Sequence, residues 1–388
     1  MLIMVDAGLP RRVVLGGGLG VAMVPLVGVA AAAVGAEDGQ LRVGVLVDLS
    51  GPAAEHGKRQ LLGMRFQADQ INADRGVPGI ELVMRDTQGD VGVTRSHART
   101  LLAQERVDGL IGTSMPPTAE AIMDQVQAAG VPMIAPSTVS PPKQPFVFSS
   151  AGSSAQMTRQ TMRSLQDASL RRAALLIIDS VATEERLRIY REQAAAHGVD
   201  LVAVERFSMS ETSLTGHLKA MIGKAPDAIL VAAIPPFNSR TALGLRALGW
   251  PGRVYCSTAA GHPAFLSEAG PAAEGVRVIA PWLLLAERAA DTLPNASVIH
   301  RFAAEFTPAN GPVGTFVGYG ADAVGMLHAA YVGHRDRARA REALEHMTYV
   351  GATGVFHRSP ADHAGLDDAA LTTIVVRNGT WASDDGRP

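Results

Sequence analysis

From Leu41 onward the chain alternates short apolar runs with longer amphipathic ones, and this alternation most constrains the fold. The first unit sets the pattern. Leu41, Val43, Val45, Leu46, Val47 and Leu49 make an apolar run rich in β-branched residues, as a buried strand requires. Ser50-Gly51-Pro52 has the composition of a turn, and a helix-like run follows from about Lys58 to Arg75. That order places the turn at the carboxyl end of a strand, where open α/β sheets bind their ligands.

The alternation continues with predicted strands at Ile80–Arg85, Val107–Ile111 and Val131–Ala135, each followed or preceded by a helical pattern. The proline cluster Pro141, Pro142 and Pro145 interrupts it, and Phe146–Ser153 reads as a passage between two lobes. A second series of strands follows at Ala173–Ile178, Leu201–Glu205, Ala228–Ala232, Arg253–Cys256 and Val276–Pro281. The helical segments Ser297–Phe306, Gly318–Tyr331 and Arg339–Met347 then have too few strands beside them for a third sheet. The economical solution returns them to the first lobe. The expected fold class is therefore α/β: two doubly wound parallel-sheet lobes with a ligand cleft between them. The expected division is residues 37–148 with 282–350 in lobe 1, and 149–281 with 351–380 in lobe 2, leaving 381–388 as a tail.

Arg11-Arg12 followed by the uncharged, glycine-rich run Val13–Ala36 reads as an export signal over residues 1–36, with Val34-Gly35-Ala36 as the cleavage site. The paired arginines suit twin-arginine export. Plain Sec export and an uncleaved anchor are the alternatives. A soluble periplasmic protein without a lipid anchor is expected, since no cysteine sits at the cleavage site. The single cysteine, Cys256, lies in an apolar strand and reads as a buried, inert thiol. A formal net charge of −2 with no basic stripe argues against nucleic acid as a partner.

No catalytic constellation assembles along the chain. Gly16-Gly17-Gly18-Leu19-Gly20 follows no strand and lies in the export signal, so it is not a nucleotide loop. His357, Asp362 and His363 in HRSPADH read as a solvated turn rather than a metal site. Asp86 and Asp90 read as turn and capping residues. Asp179, at the end of a strand, faces the cleft or caps the next helix. The residues favour a binder over an enzyme, with no cofactor.

Several segments together carry a resemblance: LSGPAAEHG at Leu49–Gly57, GMRFQADQINADRGVPG at Gly63–Gly79, IELVMRDTQGD at Ile80–Asp90 and VDGLIG at Val107–Gly112. AGVPMIAPSTVSP at Ala129–Pro141, PFVFSSAGSSAQM at Pro145–Met157, LRALGWPG at Leu245–Gly252, HPAF at His262–Phe265 and AAEGV at Ala272–Val276 follow in order. In that order and spacing the chain resembles the branched-chain amino-acid (Leu/Ile/Val) type of ABC-transporter solute-binding protein, with the type I periplasmic binding fold. SPADHAGLD at Ser359–Asp367 resembles a variant found in part of this family. The resemblance implies three crossovers between the lobes and a monomer that closes on a small ligand. It implies delivery to an inner-membrane permease with cytoplasmic ATPases, and no enzymatic activity.

Carried over by position, the resemblance places the family's ligand positions on His56, Pro116 and Val139 and near Thr183, Ile234 and Thr258, and Ser50, Thr113, Ser137, Thr138 and Phe237 complete the candidate set. Several of these depart from the amino-acid-binding pattern. Thr258 falls where that pattern has the acid that meets the ammonium. Pro116 and Val139 replace hydroxyls, and Thr183 and Ile234 fall near two phenols. An ammonium closed into a cleft without an acid is expensive. The expected ligand is thus a neutral or weakly acidic organic molecule rather than a leucine-like amino acid. His56 either lines the cleft, pairing with a carboxylate when protonated, or faces solvent from the start of the helix. A periplasmic sensor with the same fold and an α/β enzyme are the rival readings.

Overall fold

A computed structural model describes residues 40–51, 53–138, 144–180 and 183–384. The expected export signal at 1–36, Val139 and the last four residues lie outside the described residues. In chain order the strands are β1 (Leu41–Val47), β2 (Ile80–Asp86), β3 (Gly109–Gly112), β4 (Met133–Ala135), β5 (Val147–Ser149), β6 (Arg172–Ile178) and β7 (Asp200–Phe207). They continue with β8 (Ala228–Ala232), β9 (Arg253–Cys256), β10 (Arg277–Pro281), β11 (Thr348–Val350), β12 (Val355–His357), β13 (Leu371–Arg377) and β14 (Thr380–Ser383). The α-helices are α1 (Ala54–Ala73), α2 (Val91–Arg99), α3 (Pro116–Glu120), α4 (Met123–Ala129), α5 (Ser154–Asp167) and α6 (Thr183–Ala196). After these come α7 (Thr215–Ile222), α8 (Phe237–Ala247), α9 (Pro263–Ala269), α10 (Ala296–Asn310), α11 (Thr315–Ala330) and α12 (Arg337–Glu345).

The first sheet has the order β2-β1-β3-β4-β5, with every pair parallel. Its central strands are buried on both faces, which is why β1 and β3 read as continuous apolar runs instead of alternating. The second sheet has the order β14-β13-β10-β9-β8-β6-β7. It is parallel from β7 to β10, and β13 and β14 join antiparallel at its edge. The strand reversal in both sheets is that of doubly wound α/β folds, and helices cover both faces.

The late helices do return to the first sheet. Helix α11 is buried almost all round, as its apolar sequence TFVGYGADAVGMLHAA demands. It lies against α1 so closely that a Cβ on Gly63 would stand 1.9 Å from the Val317 carbonyl oxygen. A Cβ on Gly320 would stand 2.2 Å from that of Gln60. Val324, Met326 and Leu327 of α11 share one core with Val43, Val45, Met64 and Ile71. Each such side chain contributes about 1.5–3 kcal/mol by leaving water.

Three expectations about the chain's course need correction. The hairpin of β11 and β12 sits on lobe 1, because Phe356 is fully buried in that lobe's core; residues 351–357 had been assigned to lobe 2. The expected tail at 381–388 begins as strand β14, whose Trp381 stacks on Phe265 at 5.9 Å. Asp384 then pairs with Arg277 at 2.6 Å. HRSPADH is not a solvated turn. His363 is buried and stacks on Phe148 at 4.5 Å, and the guanidinium of buried Arg358 lies 5.4 Å from the same ring centre. Among the described residues no helix is long and apolar enough to cross a membrane, and no cluster of acids, histidines or cysteine could hold a metal ion.

Candidate ligand cleft

The carboxyl ends of both sheets open onto one cavity of about 210 Å³. Six of the residues named from the sequence line it: His56, Pro116, Ser137, Thr138, Ile234 and Thr258. Each follows a parallel strand directly. His56 is in the first turn of α1 after β1, Pro116 opens α3 after β3, and Ser137 and Thr138 follow β4. Ile234 follows β8 and Thr258 follows β9. The topology brings them together from both lobes, as the carboxyl-end rule expects.

Four named residues do not line the cavity, each for a local reason. Ser50 is exposed, and its hydroxyl donates to Asp86 at 2.7 Å, which ties the β1 loop to the end of β2. Thr113 is buried and its hydroxyl donates to the Met115 carbonyl at 2.8 Å. Thr183 uses its hydroxyl to close the start of α6, accepting from the Ser180 amide at 2.7 Å and donating to the Ile178 carbonyl at 3.1 Å. Phe237 points into the lobe 2 core, its ring centre 4.9 Å from that of Phe207. Asp179, for which two roles stood open, lines the cavity and lies 3.9 Å from Arg206.

Helix faces supply walls that sequence reading missed. Helix α5 contributes Met157, Thr158 and Thr161, α6 contributes Arg186, Ile189 and Tyr190, and α11 contributes Phe316 and Tyr319. Thr258 donates toward the Met157 sulfur at 3.5 Å, so its environment is weakly polar. Cys256 also lines the cavity, and burial pushes its thiol up to about 12, so it stays protonated.

The charges around the cavity are unevenly satisfied. Asp179 faces Arg206, and Glu120 already has a partner. The Arg186 guanidinium has no hydrogen bond or ion pair among the described residues. Its charge nevertheless lowers the Tyr190 phenol, which burial raises more strongly. His56 is buried, its ring centre 4.0 Å from that of Phe316 and 6.3 Å from that of His262. Burial first, and then His262, push its pKa down to about 3. The imidazole is therefore neutral at physiological pH, and the expected cationic partner for a carboxylate is not there.

A family model described as periplasmic binding protein matches residues 40–380. The chain belongs to that family. A Leu/Ile/Val-binding protein homolog from Brucella suis biovar 1 is 33% identical over 93 residues, which is 24% of this chain and 23% of that protein. The match thus spans about a quarter of that relative's length. Among solved structures, the branched-chain amino acid transporter substrate binding protein LivJ from Streptococcus pneumoniae, in complex with isoleucine, superposes with a TM-score of 0.78 at 20% identity. That likeness covers 89% of this chain and 98% of LivJ. An ABC-transporter solute binding protein from R. palustris in complex with benzoate gives 0.77 at 20% identity, covering 89% and 96%. At such identities the likeness is one of fold. The two sheets and the crossovers of this periplasmic binding protein are those of the type I architecture, and the family is one of binders rather than enzymes.

Proposed function

We propose that this chain is the periplasmic substrate-binding component of an ABC importer, closing its lobes on a small organic solute that is neutral or weakly acidic. The carrying observation is the charge balance of the cleft. Among the described residues the acids lining the cavity are Asp179, exposed and 3.9 Å from Arg206, and Glu120, which has its own partner, so neither is a buried acid set to meet an α-ammonium. Thr258 stands where the resemblance puts the acid. A carboxylate would find Arg186, which has no partner among the described residues. The R. palustris neighbour's benzoate and the S. pneumoniae neighbour's isoleucine span the two ligand types in question, and the charges here favour the first. The reading includes export across the inner membrane through the signal at 1–36, a monomeric working state, and docking to a permease with cytoplasmic ATPases. Calorimetric titration tests the ligand class. Leucine, isoleucine and valine are expected to bind far more weakly than small carboxylates such as benzoate. Submicromolar binding of leucine would sink the assignment.

A further inference from the structure

Two residues that line the cleft each carry a buried polar atom with no partner among the described residues: His56 Nε2 and the Tyr319 hydroxyl. Both residues are almost completely buried, at 3% and 2% exposure. Leaving such a group unsatisfied costs about 1–3 kcal/mol. Two of them lining one cavity call for an occupant that supplies hydrogen bonds. Both sit on lobe 1, His56 at the start of α1 and Tyr319 on α11. Phe316, one turn before Tyr319, packs on both sides: it touches His56 and shares a small apolar cluster with Tyr319 and Ala151.

The surroundings fix the charge of that occupant. His262, the nearest titratable neighbour of His56, is itself neutral, held down by burial and by Arg59. Behind Tyr319 lies buried Asp322, which accepts from the Ala352 amide at 2.8 Å and the Thr353 amide at 2.9 Å. Its negative field opposes an anion at the phenol, and among the described residues no acid of α1 or α11 lines the cavity to serve a cation. An uncharged group is favoured at this end, while Arg186, a cleft cation with no partner among the described residues, stands on lobe 2.

Resting on the reading of the cleft as the solute site, we propose that the solute is a hydroxylated carboxylic acid. Its hydroxyl is held between His56 and Tyr319, and its carboxylate meets Arg186. A hydroxyl is the small neutral group that donates and accepts through one atom. It pairs with His56 Nε2 as donor or acceptor, whichever the tautomer of the neutral ring requires, and accepts from the Tyr319 O–H. This makes His56 and Tyr319 the residues that set specificity at the lobe 1 end.

Titrations of the mature chain with two matched pairs test this: 4-hydroxybenzoate against benzoate, and 6-hydroxyhexanoate against hexanoate, with the methyl ester of each. In at least one pair the hydroxylated acid is expected to bind about tenfold or more tighter than its deoxy partner, because a site built around a hydroxyl penalises its absence. Tyr319→Phe and His56→Ala should each erase that ratio, weakening the hydroxylated acid about tenfold more than its deoxy partner. Arg186→Gln should erase the preference for acid over ester and leave the hydroxyl ratio intact. A hydroxyl ratio near one in the wild type, a ratio untouched by Tyr319→Phe, or failure of all four acids to bind each overturns the proposal. Deoxy acids binding well without hydroxyl preference leave the solute-binding reading standing. Tight leucine binding removes both.

Discussion

At the scale of the residue, His56 carries the most information. The strand and turn before it left open whether it lines the cleft or faces solvent, and neither its burial nor its neutrality was legible, because both depend on Phe316 and His262 arriving from distant parts of the chain. The consequence is a pH dependence of stability. His56 and His262, at about 3 and about 4 in the folded protein, sit below the ordinary imidazole value of 6.5. Between those limits the unfolded chain binds protons that the native state refuses, so their contribution is complete above 6.5 and is lost as pH falls toward 4. Each contributes a slope of about 1.4 kcal/mol per pH unit in that window. Asp322 acts in the opposite sense, since burial pushes it up to about 6 and it favours the native state on acidification. His328, lowered by burial, adds to the loss toward acid, Asp48 and His217, both raised, oppose it, and the two large histidine shifts leave a net loss. Urea-unfolding midpoints should fall between pH 6.5 and 4, and His262→Asn should flatten the slope. A midpoint constant across that range would contradict buried neutral imidazoles. The misplaced site residues have an equally local origin. Thr183 and Phe237 each lie three residues beyond a residue that does line the cavity, Ser180 and Ile234, but Thr183 is taken up by the Ser180 amide and the Ile178 carbonyl and Phe237 by the lobe 2 core.

At the scale of the element, most strands and helices were legible because parallel strands buried on both faces are continuous apolar runs; β8 and β9 have the bounds read from the sequence. What escaped were short pieces whose pattern is set by tertiary contact. They are α9, the strand β11 and the edge strand β14, the last with the sequence TWAS. The cleft-facing sides of α5, α6 and α11 were illegible for a different reason: a helix turned toward a ligand cavity has the same apolar spacing as one turned toward a core. Tyr319 on the wholly buried α11 shows this most clearly. The meeting of α1 and α11 also makes a sharp prediction. Gly63→Ala and Gly320→Ala each drive a Cβ into backbone oxygen of the opposite helix, at 1.9 and 2.2 Å. Neither helix can yield locally, so a loss of about 3 kcal/mol or more is expected from each. Gly216→Ala, on α7 with open space around it, is the matched control and should be neutral or stabilising by up to about 1 kcal/mol. Equal effects at the three sites in chemical denaturation would mean that α1 and α11 are not in close contact.

At the scale of the whole molecule, the lobes are joined where the chain crosses after β5, after β10 and between β12 and β13. The first and third of these crossings are bound to one another. Arg358 donates to the Ser149 carbonyl at 2.7 Å, and the Ser149 amide donates to the His363 carbonyl at 3.2 Å. Gln156 donates to the Leu366 carbonyl at 2.8 Å, and Arg159 pairs with Asp368 at 2.7 Å. Two crossings held side by side behave as one hinge, so the lobes have a restricted direction in which to close. The cavity lies between them and takes its walls from both. A bound solute must therefore stabilise the two lobes together, by about 2.7 kcal/mol when its concentration is a hundredfold above Kd. Hydrogen exchange with and without a saturating solute measures how that stabilisation is shared. Amides at the start of α1 in lobe 1 and at the ends of β8 and β9 in lobe 2 should slow in parallel. Protection confined to one lobe would place the ligand on that lobe's surface, and the closing cleft between His56 and Arg186 would then have no role in binding.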